Sequence, residues 1–136
     1  MMPRHVTAAY GRVQAETDVA GADPHRLIAM LFDAASVAVH RAAERMRARD
    51  VATKGAAISK AIQIIEEGLI LSLDESAGGE IAGRLKGIYR YMTQRLLLAS
   101  ARNDPAALEE VARLLAELKE AWAAIAPKDG RDRAHG

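Results

Sequence analysis

Four histidines and eighteen carboxylates are the side chains here that could do chemistry. In a helical protein they would do it as a di-metal centre. Such a centre needs inward glutamates and Glu-x-x-His pairs, because three residues along a helix bring both ligands to one face. None of His5, His25, His40 and His135 follows a glutamate by three. His40 stands alone on an alanine-rich stretch and reads as a partly exposed side chain, so no metal ligand is assigned. The pairs Glu66-Glu67, Asp74-Glu75 and Glu109-Glu110 are adjacent, so they splay around a helix instead of converging. No Gly-x-Ser-x-Gly elbow occurs, and Gly78-Gly79-Glu80 lacks the Lys-Ser/Thr ending of a phosphate loop. With no cysteine there is no thiolate, disulfide or cysteine nucleophile. The sequence predicts no catalytic residues, no cofactor and no metal, and so not an enzyme.

Charge and composition narrow the classes further. Nineteen basic and eighteen acidic residues leave a formal charge of +1, so no global field selects nucleic acid or anionic lipid. Arg41, Arg45, Arg47 and Arg49 cluster at the end of a predicted helix, where cations suit the terminal carbonyls. Half of the residues (50%) are hydrophobic but 4% aromatic, so the core must be aliphatic, and roughly a fifth of the chain is alanine, the best helix former. No signal-peptide run and no stretch of about 18 apolar residues is present, which predicts a cytoplasmic protein without membrane insertion.

The elements follow from punctuation and period. Asp23-Pro24 and Asp104-Pro105 have the N-cap and first-turn pattern of a helix start. Gly78-Gly79 breaks a helix, and Asp50 or Thr53 caps another. Stripes spaced three and four run through Leu31, Ala35, Ala38 and Ala42, then Ile58, Ile62, Ile65 and Leu69. They recur in Ile81, Leu85, Ile88, Met92 and Leu96, and in Leu108, Val111, Leu115, Leu118, Trp122 and Ile125. Segments of roughly 20–25 residues with short links predict an all-α fold, an antiparallel up-down four-helix bundle. Residues 1–22 read as an N-terminal helical or cap segment, 23–127 as the bundle and 128–136 as a disordered tail.

Apolar residues exceed what one core stripe per helix requires. The second helix adds Ile64, Ile70 and Leu71, and the third adds Tyr89, Tyr91, Leu97 and Leu98. A wide core face explains some of them. The alternative is a groove for another chain, formed by Ile64, Ile65, Leu71, Tyr89, Tyr91 and Met92. Val6, Tyr10 and Val13 share one helical face in a piece too short to be stable alone.

Several of these pieces in this order are familiar: Tyr10, then Asp23-Pro24-His25-Arg26-Leu27-Ile28, then Lys60-Ala61-Ile62-Gln63-Ile64-Ile65. Gly78-Gly79-Glu80-Ile81, Tyr89-Arg90-Tyr91-Met92, Asn103-Asp104 and Ala121-Trp122 complete the set. The chain resembles the flagellar export chaperone family FliS over about Tyr10 to Pro127. That resemblance implies a cytoplasmic bundle that holds the disordered C-terminal region of flagellin, prevents its premature polymerisation and docks the complex onto the flagellar export gate. The segment with Val6 and Tyr10 is expected to cap part of the groove in the free protein, Tyr10 matching the tyrosine that opens the family pattern; a frayed terminus without a role is the alternative. Gly83 and Gly87 are not family requirements and bear on the groove's shape. A self-associating structural bundle or a metal carrier is the alternative, and a homodimer stays open.

Overall fold

The computed structural model describes residues 23–126. They form an all-α bundle with no strand among them. α1 spans Pro24–Arg47, α2 Val51–Gln63, α3 Glu75–Arg102 and α4 Pro105–Ala124, with α2 continuing as a π-helical stretch, Ile64–Ile70. Each helix starts on an aspartate. Asp23 accepts from the Arg26 amide at 2.8 Å, Asp50 from Thr53 at 3.1 Å, Asp74 from Ala77 at 3.1 Å and Asp104 from Ala106 at 3.0 Å. Each cap satisfies an amide that helix geometry leaves without a partner.

Contacts between helices give their directions. The start of α1 meets the end of α4 at His25 and Trp122, and Asp33 pairs with Lys119, so these two run in opposite senses. Lys54, at the start of α2, donates to the Ser100 carbonyl at 3.2 Å and to Asn103 Oδ1 at 2.6 Å, at the end of α3. Asn103 ends α3 in the left-handed region (φ 51°), which asparagine tolerates. Lys54 is buried, and these two acceptors compensate the loss of water around its ammonium.

The structure departs from the periodicity in four places. First, Gly79 takes φ 55°, ψ −126°, yet α3 already begins at Glu75, because the Asp74 cap starts a turn before the glycine kink. Second, the third stripe runs through Ala82, Leu85, Tyr89, Met92, Leu96 and Ala99, leaving Ile81 exposed and Tyr89 in the core. Third, the π stretch adds residues to each turn, so Ile64 with Ile65 and Gly68 with Leu69 are buried as pairs. Gly68 permits this: a Cβ there would stand 3.1 Å from a Leu31 methyl.

Fourth, Trp122 is half-buried at the margin of the core instead of inside it. It lies in the last turn of α4, where the start of α1 packs against it. Its ring stacks on His25 at 4.5 Å and 7°. Trp122 Nε1–H donates to the His25 carbonyl at 2.8 Å, and His25 Nε2–H donates to the Trp122 carbonyl at 2.7 Å. Trp122→Ala should cost about 2–3 kcal/mol, less than the roughly 3–5 kcal/mol of a fully buried tryptophan. Chemical denaturation checks this, and a cost under about 1 kcal/mol would show the clasp to be decorative.

Candidate functional site

Of the six residues expected to line a groove, four are core. Ile64 and Tyr89 keep 6% and 3% of their surface, and Ile65 and Met92 none. Tyr89 packs its ring on Phe32 across the bundle, and burial pushes its hydroxyl pKa up to about 12. In the free bundle these four belong to the core and not to an open groove. Ile65 and Met92 lie on the expected core stripes, while the π turn brings Ile64 inward and the shifted α3 register brings Tyr89 inward. Leu71 is half-buried and Tyr91 exposed, so those two are reachable. Val6 and Tyr10 lie outside the described residues.

Tyr91 belongs to a polar tie between α3 and α4. Its O–H donates to Glu110 Oε2 at 2.6 Å, while Arg95 Nε–H donates to Oε1 at 2.6 Å. The Tyr91 hydrogen bond, then that of Arg95, holds the Glu110 carboxyl below the usual carboxylate range. Amide and hydroxyl donors do the same for the capping carboxylates of Asp50 (Thr53) and Asp74 (Ser76, then Ala77). A carboxylate whose pKa is lower in the folded chain contributes stability above its unfolded value, about 4. That contribution is lost as pH falls through the folded value. Stability should therefore decline on acidification below about pH 4. Glu110→Gln should flatten part of that decline in urea titrations, and an unchanged acid limb would remove Glu110 from the account.

An apolar recess opens elsewhere, between α1 and α2. It has a volume of about 450 Å³, and its lining includes Met30, Ala34, Val37, Ala38, Ala56 and Ala57. Asp33, Arg41, Thr53 and Lys60 supply the polar positions around it. Alanines on both helices keep the recess open, and Val37 is 68% exposed beside it. Stripes of surplus large residues do not mark this recess, because small residues form it. Val37 was the available signal, an aliphatic residue lying off the 31-35-38-42 stripe.

Among the described residues no group of three His, Cys, Asp or Glu side chains is placed to share a metal. No described helix is long and apolar enough to cross a membrane. The geometry defines a helical bundle with an open apolar recess between α1 and α2.

Comparison with known proteins makes the class specific. Residues 6–129 match the family model described as flagellar protein FliS. The flagellar secretion chaperone FliS of Salmonella typhimurium is 51% identical over 120 residues, covering 88% of this chain and 89% of that protein. The Escherichia coli protein of the same name is 42% identical, over 85% of each chain. Flagellar secretion chaperone FliSB of Pseudomonas aeruginosa is 41% identical, over 85% of this chain and 91% of its own. The chain belongs to the FliS family, which is a family of chaperones and not of enzymes.

Proposed function

We propose that this protein is a cytoplasmic export chaperone that binds the disordered C-terminal region of flagellin. It hides an apolar face that would otherwise polymerise prematurely, keeps the client competent for flagellar type III export and delivers it to the export gate. The observation that carries this reading is the open apolar recess between α1 and α2, in a chain whose relatives are named secretion chaperones. Ordering a disordered client costs roughly 2–5 kcal/mol or more of the gross interaction energy. Each large aliphatic side chain fully buried returns roughly 1.5–3 kcal/mol, so two or three anchors offset the cost. Neither a nucleotide nor a metal enters this scheme. Calorimetry with a flagellin C-terminal peptide tests it directly, and no heat of binding at micromolar concentrations would reject flagellin as client.

The segment that precedes α1 has a place in the same proposal. Val6 and Tyr10 would cover part of the apolar surface in the free protein and yield to the client. Two such side chains contribute a few kcal/mol at most, little enough for a long client to displace. Deleting the residues before Asp18 should leave the bundle folded, raise client affinity modestly and increase self-association. Equal hydrogen exchange in the segment with and without client would reject the cap.

A further inference from the structure

Formal charge nearly cancels along the chain, but the fold sorts it by position. Opposed neighbours bring the midpoints of the helices to one level, which divides the bundle into two halves. The half with the α1–α2 turn and the α3–α4 link, residues 36–60 and 89–114, carries ten basic and five acidic side chains. The other half, residues 23–35, 61–88 and 115–126, carries four basic and nine acidic ones. A chain of net charge +1 thus contains a bundle with one positive and one negative end.

Helix ends explain part of the excess, since cations favour the last turns of α1 and α3. They do not explain all of it. Arg41 lies well before the last turn of α1, and Arg49 lies beyond it, held at φ 59° in a region uncommon for residues other than glycine. Arg41, Arg47, Arg49 and Arg102 are all exposed. Val51, 68% exposed, starts α2 two residues after Arg49, so apolar surface sits among the cations.

Distance decides what a partner would feel. A helix the length of α1 is about 36 Å long, so the centres of the two halves lie about 18 Å apart. That is roughly two Debye lengths at physiological salt. A large charged surface at the positive end therefore meets the cations, while the carboxylates beyond are screened.

We propose that this end is a peripheral docking surface for an anionic phospholipid bilayer. The bundle stands on it end-on, with its acidic half turned away. Asp23 and Ala126, where the two undescribed termini join the bundle, belong to that acidic half. The cations are spread over a turn and the ends of three helices, which suits a broad field of phosphates. An acidic protein surface would have to match that spread in shape as well as in charge. Each cation close to such a bilayer strengthens adsorption about fivefold.

The test uses the full chain without client, so it stands or falls apart from the flagellin reading. Vesicles of phosphatidylcholine with roughly 30% phosphatidylglycerol should sediment the protein at about 150 mM salt, and pure phosphatidylcholine should not. Arg47→Gln with Arg49→Gln, both exposed, should weaken binding at least tenfold with an unchanged helical spectrum. Glu117→Gln with Glu120→Gln, in the acidic half, should not weaken it. The sole tryptophan, Trp122, is in the acidic half, so brominated lipids should leave its fluorescence unquenched. Three results would each overturn the proposal. They are no sedimentation, equal sedimentation of the arginine variant, or strong quenching of Trp122. Absent vesicle binding together with capture by immobilised polyglutamate would assign the end to an acidic protein surface instead.

Discussion

Val37→Glu and Ala56→Glu are each expected to lower affinity for the flagellin C-terminal peptide at least tenfold, about 1.4 kcal/mol or more. Both residues line the recess between α1 and α2, and both are exposed in the free protein. A carboxylate there remains hydrated until a client covers it, and only then is it desolvated without a partner. Folding stability should accordingly change by no more than about 0.5 kcal/mol, the usual range for surface substitutions. Tyr91→Phe provides the comparison. It removes the hydrogen bond to Glu110 on the α3–α4 face and leaves the recess untouched. Isothermal titration of the three variants maps the site. Unchanged affinity for both glutamate variants, with loss in Tyr91→Phe, would move the client to the α3–α4 face.

The helices were legible because local signals and tertiary packing agreed. Asp23-Pro24 and Asp104-Pro105 start helices where cap chemistry says they should, and the 108-111-115 stripe is buried as its period requires. Legibility failed where a backbone irregularity changes the period. A stripe through Ile58, Ile62 and Ile65 assumes 3.6 residues per turn, but the π stretch has more, and Ile64 joins Ile65 inside. No propensity marks that change. It depends on Gly68 lying against Leu31, two residues 37 apart in sequence. Gly79 similarly resets the face of α3, so Ile81 turns outward and Ala82 inward.

The same distinction holds for surfaces. Counting surplus large apolar residues singled out Ile64 and Tyr89, which the core absorbs. The recess forms from alanines on two helices, and composition cannot tell a packed alanine from one that leaves space. Charge behaved alike. A sum of +1 is correct for the chain and says nothing of its distribution along an axis that exists only once four helices oppose one another. Net charge alone favours no anionic surface, and it conceals that the described bundle has one positive and one negative end.

Phe32→Ala is expected to be the most damaging single truncation, costing about 3–5 kcal/mol. Phe32 is the sole phenylalanine, keeps 2% of its surface and stands 6.4 Å from the Tyr89 ring at an interplanar angle of 51°. This is the one aromatic pair inside the described core, and aliphatic neighbours cannot collapse into a hole of that size. A domain is typically stable by about 5–15 kcal/mol, so the variant should melt well below the parent protein. Tyr89→Phe separates the ring from its hydroxyl. It keeps the packing and removes a group whose ionisation burial delays to about pH 12. The unfolded chain loses that proton nearer 10, so wild-type stability should fall as pH rises from 10 to about 12. Tyr89→Phe should flatten part of that alkaline decline while changing stability at neutral pH by about 1 kcal/mol or less. If it proves as destabilising at neutral pH as Phe32→Ala, a bond to the hydroxyl and not the contact between rings is what holds α1 against α3.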